Sequence, residues 1–288
     1  MKNETQKFKY LLLLAMLLWG GGWTALKILT YTQTIELIIF WRFFLMSLTF
    51  IPILYVFNQP IALNKKALLY IGSSSILNIL FMIFSFIGIS AGLAGSGSVI
   101  ITTFSPVLTF ILFALIYKKH LTSTQYFSLF LGLLGGFILL ELDDVSLFLQ
   151  SSNIYFLLCA LVWAGVTLLS QHSAKHIHPI HYSFFISIIA TIASFIYAFD
   201  ADLLSVFDEG LKFWVSLIYL AVFGQAVATT IFFMASSKLG SQTTSSFMFL
   251  VPFFALLSAW FILDEAIELH IIVGGCISML AVYYLNKK

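Results

Sequence analysis

Charge is what this chain has least of. Only 9% of its 288 residues are charged, against roughly 25% in an ordinary soluble domain, so a water-soluble globular fold is excluded. Cysteine is scarce too. Cys159 and Cys276 each sit inside an apolar run, which leaves no disulfide framework and no cysteine-based metal spacing and marks both as small core residues. No basic patch of the nucleic-acid-binding kind is present, so nucleic acid is not expected as a partner. A membrane β-barrel is excluded because barrel strands are about ten residues of alternating polarity, whereas the apolar runs here are far longer. The polar breaks are short, the longest lying between Asp200 and Lys212. Any chemistry must therefore happen in or beside a membrane.

What the chain does have is apolar length. Hydrophobic residues make up 61% of it, and the pattern predicts ten helices, near 10–30, 35–57, 67–90, 95–117 and 124–141, then 153–173, 179–199, 212–235, 242–263 and 268–286. Each is long enough for a hydrocarbon core of about 30 Å. The first run lacks a small-residue cleavage pattern and reads as a retained span. The fold class is thus an all-α membrane protein.

The charges that remain are sorted by side. With a cytoplasmic N-terminus, the inner segments hold Lys2, Lys7, Lys9, Lys65, Lys66, Lys118, Lys119, Lys175, Lys238, Lys287 and Lys288 against Glu4, while the outer ones hold Glu36, Glu141, Asp143, Asp144, Asp200, Asp202, Asp208, Glu209, Asp264, Glu265 and Glu268 against Lys212. Basic residues are retained on the cytoplasmic side. A miscounted span would scramble that separation, so an even span number with both termini cytoplasmic is expected.

A second copy of one stretch lies near the C-terminus. The run from Gly92 to Leu140 passes a hydroxyl-rich segment, Pro106, the pair Lys118 and Lys119, and a glycine-studded helix; Lys238 to Tyr284 repeats the order with Pro252 and the pair Asp264 and Glu265. One register pairs Pro106 with Pro252, Ser128 with Gly274 and Gly132 with Ser278. The first spans of the halves match as well, LLWGGGWTAL around Trp19 with ALVWAGVTLL around Trp163. Two repeats, 1–145 and 146–288, follow. Because each half holds an odd number of spans, the second enters the bilayer upside down, an arrangement of secondary transporters whose site lies near the midplane between the halves.

Several of these pieces together resemble the drug/metabolite transporter superfamily, and within it the EamA-like family. They are Trp19-Gly20 with Lys27, Arg42 within FWRFF, Ser105-Pro106, the LTSTQYFSLFLGLLG stretch from Leu121, YLAVFGQAVATTIFFMASSKLG from Tyr219, and Asp264-Glu265 followed by IIVGGCISML. The resemblance covers nearly the whole chain. It implies ten helices around a central cavity, peripheral fifth and tenth spans, and alternating-access transport of a small organic solute, amino-acid-like or drug-like, with efflux the commoner direction. It implies residence in the cell inner membrane, with lipid as surroundings and no cofactor.

Particular residues can be nominated for the cavity. Lys27 and Arg42 place charge at membrane depth, which is costly unless it faces a cavity or a partner; Arg42 could clamp a carboxylate through its planar fork, or pair with Glu36, and Lys27 could act as a compact point charge or snorkel outward. Trp19, Trp23 and Trp163 offer aromatic faces. Asn78, Thr102, Gln225 and Thr229 are polar groups deep in apolar runs, able to contact a solute or to bond between helices. Pro106 and Pro252 are the expected kinks, where backbone carbonyls are freed. His172, His176, His178 and His181 stand without a cysteine or acid among them and read as solvated loop residues rather than metal ligands. The glycines at Gly20 to Gly22 and Gly92 to Gly97 follow no strand, so they are helix contacts and not phosphate cradles. Ser128, Gly132 and Gly136, echoed by Gly274 and Ser278, form a small-residue surface, between the fifth and tenth spans and their neighbours or between two protomers of a homodimer. A membrane-embedded enzyme is the rival class; it needs converging acids, bases or metal ligands, and here the acids and histidines fall on opposite sides.

Overall fold

The computed structural model describes residues 2–57, 60–61, 63–91, 94–140, 151–264 and 269–287. Ten helices account for nearly all of them. They are α1 (Lys2–Leu29), α2 (Ile35–Phe57), α3 (Lys65–Ala91), α4 (Ala94–Tyr117) and α5 (Ser123–Leu139), followed by α6 (Ser151–Ser173) and α7 (Pro179–Tyr197). The last three are α8 (Leu211–Leu239), α9 (Ser241–Leu263) and α10 (Leu269–Asn286). Nine are long and apolar enough to cross a membrane, and α5 is a shorter apolar helix of 17 residues. The acids Glu141, Asp143, Asp144, Glu265 and Glu268 lie outside the described residues.

Two helices depart from the continuous rods the hydropathy predicts. In α8 the stretch Tyr219–Val227 is π-helical, with α-helix before and after it. In α9 a 3-10 turn, Phe247–Leu250, separates a short first helix from Val251–Leu263. A π segment opens the i→i+4 ladder and is often found where function is housed.

Packing obeys the repeat. Helix α1 lies against α8 and α9, while α6, its counterpart, lies against α3 and α4. Helices α2, α4 and α5 each pack on their own counterparts α7, α9 and α10. Two side-chain contacts even join residues related by the same shift along the chain: Trp19 meets Trp163 edge-on at 5.6 Å, and Ser47 bonds Thr191 at 3.0 Å. Among the described residues the two non-glycines with positive φ are Lys118 at 51° and Asp264 at 54°. They end α4 and α9 and are partners in the register that pairs Pro106 with Pro252. The fold is an all-α membrane bundle of ten helices in two inverted five-helix repeats.

The N- and C-termini share one end of the bundle, called here the terminal end. Lys9 Nζ donates to the Asn286 carbonyl at 3.3 Å, tying α1 to α10. An ion pair between Lys238 and Glu4, 3.3 Å apart, is exposed and contributes about 1 kcal/mol or less. At the far end the 198–210 connection is held down by Trp41, whose Nε1 donates to the Leu203 carbonyl at 3.0 Å, and by Gln33 on Glu209 at 2.8 Å.

Small residues set the closest approaches. A Cβ on Gly20 would lie 2.5 Å from Phe254 Cβ and 2.8 Å from the Ala255 nitrogen, so α1 and α9 meet backbone to backbone. Gly21 faces the Tyr219 hydroxyl. The glycines at 20–22 are helix contacts, as expected. The α5 surface is used inside the chain: Gly132 receives the Phe249 ring, Gly136 receives Thr103, and Gly135 abuts Ser278 and the Gly274 carbonyl. The α5–α10 contact thus runs through Gly135 rather than through Gly132 and Gly136. Ser128 and Gly274 are buried as well, so that surface is not free for a second protomer.

Two other expectations need correcting. Cys159 is buried, but Cys276 is exposed on the outside of α10. Of the four histidines only His178 is exposed as expected, and the other three are partly or fully buried. His181 is buried, His178 caps α7 by accepting from the Ile180 N–H at 3.3 Å, His172 bonds Tyr117, and His176 stacks on Tyr70. They are packing and capping groups, and among the described residues no cluster suited to a metal ion is formed.

Candidate functional site

A cavity of about 170 Å³ lies between the two repeats, from mid-bundle toward the far end. Helix α1 contributes Trp19, Gly22, Trp23 and Leu26; α2 contributes Ile38, Arg42 and Phe43. Helix α3 adds Asn78, Phe81 and Phe86, and α6 adds Phe156 and Trp163. From α8 come Gly224, Gln225 and Thr229. The repeat partners Thr102 of α4 and Met248 of α9 line it too. Toward the far end the wall includes Ile35 and Ile89. Toward the terminal end the bundle is filled by one apolar cluster that contains Leu12, Met16, Phe110, Tyr182, Phe232 and Phe233.

Eight of the residues nominated from sequence therefore share one wall: Trp19, Trp23, Arg42, Asn78, Thr102, Trp163, Gln225 and Thr229. Lys27 does not. It is exposed and absent from the lining, one residue beyond Leu26, and one residue is a step of about 100° around a helix.

The prolines act at one remove. Each removes the N–H that would bond the carbonyl four residues earlier, and those carbonyls belong to Thr102 and Met248. Pro106 sits inside a continuous helix, whereas Pro252 opens the segment after the 3-10 turn. The turn at Phe247–Leu250 and the π segment around Gly224 and Gln225 left no mark in the apolar pattern. Nor did Phe81, Phe86 and Phe156, since 31 phenylalanines make any one of them inconspicuous.

Polar atoms on this wall are few, and some are paired within their own helix, as Ser85 is with the Met82 carbonyl at 3.1 Å. Asn78 Nδ2 donates to the Ser74 carbonyl at 2.8 Å, and the Thr102 hydroxyl donates to the Ser98 carbonyl at 2.7 Å. Arg42 Nε, Trp163 Nε1 and Thr229 Oγ1 are buried with no hydrogen-bond partner among the described residues. The Arg42 guanidinium lies 4.8 Å from the Phe43 ring centroid. It does not pair with Glu36, which interacts with Tyr197 of α7. An unsatisfied buried donor costs about 1–3 kcal/mol, and an acceptor entering the cavity would satisfy these three.

Sequence comparison adds the family. The profile of the EamA-like transporter family matches residues 8–140 and again 150–287. The chain belongs to the EamA-like transporter family. The chain is 28% identical over 212 residues to an uncharacterized transporter of Synechocystis, and 27% identical over 210 residues to a WAT1-related chloroplastic protein of Arabidopsis thaliana. Those matches take in 68% and 69% of this chain, and 64% and 50% of the relatives' own lengths. A solved crystal structure superposes with a TM-score of 0.76 at 14% identity, covering 98% of this chain and 96% of the other. At that identity the likeness is one of fold.

Proposed function

We propose that this membrane transporter exports a small organic solute, amino-acid-like or drug-like, across the cell inner membrane by alternating access, with both termini in the cytoplasm. The observation that carries the reading is the cavity: it lies between inverted repeats, reaches one end of the bundle and is packed shut toward the other. Orientation rests on charge. The described ends of the helices place Lys7, Lys9, Lys65, Lys66, Lys118 and Lys119 at the terminal end, and Asp200, Asp202, Asp208, Glu209 and Asp264 at the far end. By the positive-inside rule the terminal end is cytoplasmic, and the cavity then faces outward.

Exchange of the two repeats' conformations would open the cytoplasmic end and close the outer one. The Tyr182 hydroxyl, buried against Ser74, joins α7 to α3 within the cytoplasmic seal. Tyr182→Phe removes that bond from the outward-facing state and leaves Ser74 unpaired. It is expected to raise the inward-facing population about fivefold or more, given about 1–3 kcal/mol for such a loss. Thiol labelling of a cysteine placed on the cytoplasmic half of the pathway measures this; an unchanged labelling rate would remove the bond from the gate.

The function itself is tested by comparing metabolites in cells and medium with and without the protein, then following the leading solute in vesicles containing the purified transporter. Movement of unaltered solute is expected. Chemical turnover without flux would overturn the reading.

A further inference from the structure

We propose that the cavity selects a solute of net charge −1, a carboxylate on a single-ring or similarly compact apolar body, over the matching amine, amide and zwitterion. The proposal rests on the reading of this cavity as the transport site. Its first support is the formal charge of the wall. Arg42 brings +1, and among the described residues no Asp or Glu lines the cavity, Glu36 being turned to Tyr197. An uncompensated charge in an apolar interior is strongly unfavourable. A monoanion leaves the occupied site neutral, a zwitterion or amide leaves it at +1, and an amine raises it to +2.

The unpaired atoms give the second support. Arg42 Nε and Trp163 Nε1 can only donate, and Thr229 Oγ1 can donate as well. A carboxylate is acceptor-only, with two oxygens suited to a guanidinium fork. Neutral acceptors are also present, in the side-chain oxygens of Asn78 and Gln225 and in the carbonyl of Thr102, which Pro106 leaves without its helical N–H partner; the Met248 carbonyl is taken by the Val251 N–H. These acceptors can receive a hydroxyl or amide hydrogen from the solute, but they carry no charge to offset an ammonium.

Size and surface set the rest of the molecule. The cavity volume of about 170 Å³ is close to the roughly 150 Å³ of an apolar cavity that takes up one benzene. Trp19, Phe81, Phe156 and Trp163 supply the aromatic faces. One ring with one carboxylate satisfies charge, donors and volume together.

Direction follows from charge. Each cycle that carries a monoanion outward moves one negative charge out of a cell whose interior is negative. Among the described residues no Asp or Glu lines the wall to return a proton. A potential of 100 mV contributes about 2.3 kcal/mol per charge, equivalent to roughly a fiftyfold outward gradient, so export needs no coupling ion.

The test uses four matched probes at pH 7.5: 4-hydroxyphenylacetate, 4-hydroxyphenylacetamide, tyramine and tyrosine. Binding to the purified protein in nanodiscs is read by quenching of tryptophan fluorescence, and flux is read in proteoliposomes with an imposed potassium diffusion potential. The acid is expected to bind at least tenfold tighter than the other three, and Arg42→Gln is expected to erase that ranking. Its flux out of the negative compartment should rise with the potential. Equal or tighter binding of the amide, tyrosine or tyramine, a ranking untouched by Arg42→Gln, or no binding by any of the four would overturn the selectivity. Preferential movement of tyrosine or tyramine would overturn it while upholding transport. Binding in the expected order with no flux of any probe would instead overturn the transport reading.

Discussion

Replacing Arg42 with glutamine should cut solute flux at subsaturating concentration at least tenfold, with insertion and yield unchanged. Hydrogen bonds to charged groups are worth about 1.5–3 kcal/mol, which corresponds to 10- to 150-fold in affinity. The fold has little to lose by the change. Arg42 makes no ion pair among the described residues, and its stacking on Phe43 at 4.8 Å is worth about 0.5–2 kcal/mol. Lysine in its place keeps the charge but not the fork, so Arg42→Lys should fall between wild type and Arg42→Gln. Saturation kinetics in proteoliposomes separate the readings. Loss carried by a raised half-saturation constant identifies a binding group, and unchanged flux across a broad solute panel would remove Arg42 from the site.

A leucine at Gly20 should be among the most damaging single changes outside the cavity. The new side chain starts 2.7 Å from the Phe254 carbonyl carbon and 2.8 Å from the Ala255 nitrogen. Backbone of α9, rather than a flexible side chain, would have to move. Overpacking typically costs about 1–3 kcal/mol, and a clash with backbone belongs at or above the upper end. The expected result is a clear loss of monodisperse protein and a lowered thermal midpoint, with Gly20→Ala milder. Gly72 provides the control, since a Cβ there meets nothing within 4 Å; Gly72→Ala should behave as wild type. A Gly20→Leu protein as stable as its parent would mean that α1 and α9 do not pack this closely.

Much of this architecture was legible because the bilayer simplifies the code. Ten apolar helices follow from the hydropathy, nine of them among the described residues long enough to span, and the inversion follows from an odd number of helices per half. The central pair Trp19 and Trp163 could be found because duplication marked both members. Arg42, Asn78 and Gln225 stood out as polar letters in apolar runs. What stayed hidden was helix phase and helix type. Lys27 and Arg42 look alike along the chain, yet one is exposed and the other lines the cavity, because both faces of these helices are apolar and no stripe fixes the rotation. The same uniformity concealed that Gly135, not Gly132 or Gly136, meets α10. The π segment of α8 packs on α1 and α2, and no local pattern records it.

The left-handed caps at Lys118 and Asp264 carry a last implication. That backbone conformation is suited to glycine or asparagine and costs other residues about 1–2 kcal/mol. Asp is tolerated there better than most, and Lys has no such excuse. In the proposed orientation the lysine ends α4 on the cytoplasmic side and the aspartate ends α9 on the outside, at corresponding points of the two copies. The shape of the corner is thus shared by the two copies while its side chain is not. In that orientation the lysine stands on the side where basic residues are retained, so a charge preference of the membrane would offset the conformational cost at the corner of the first copy.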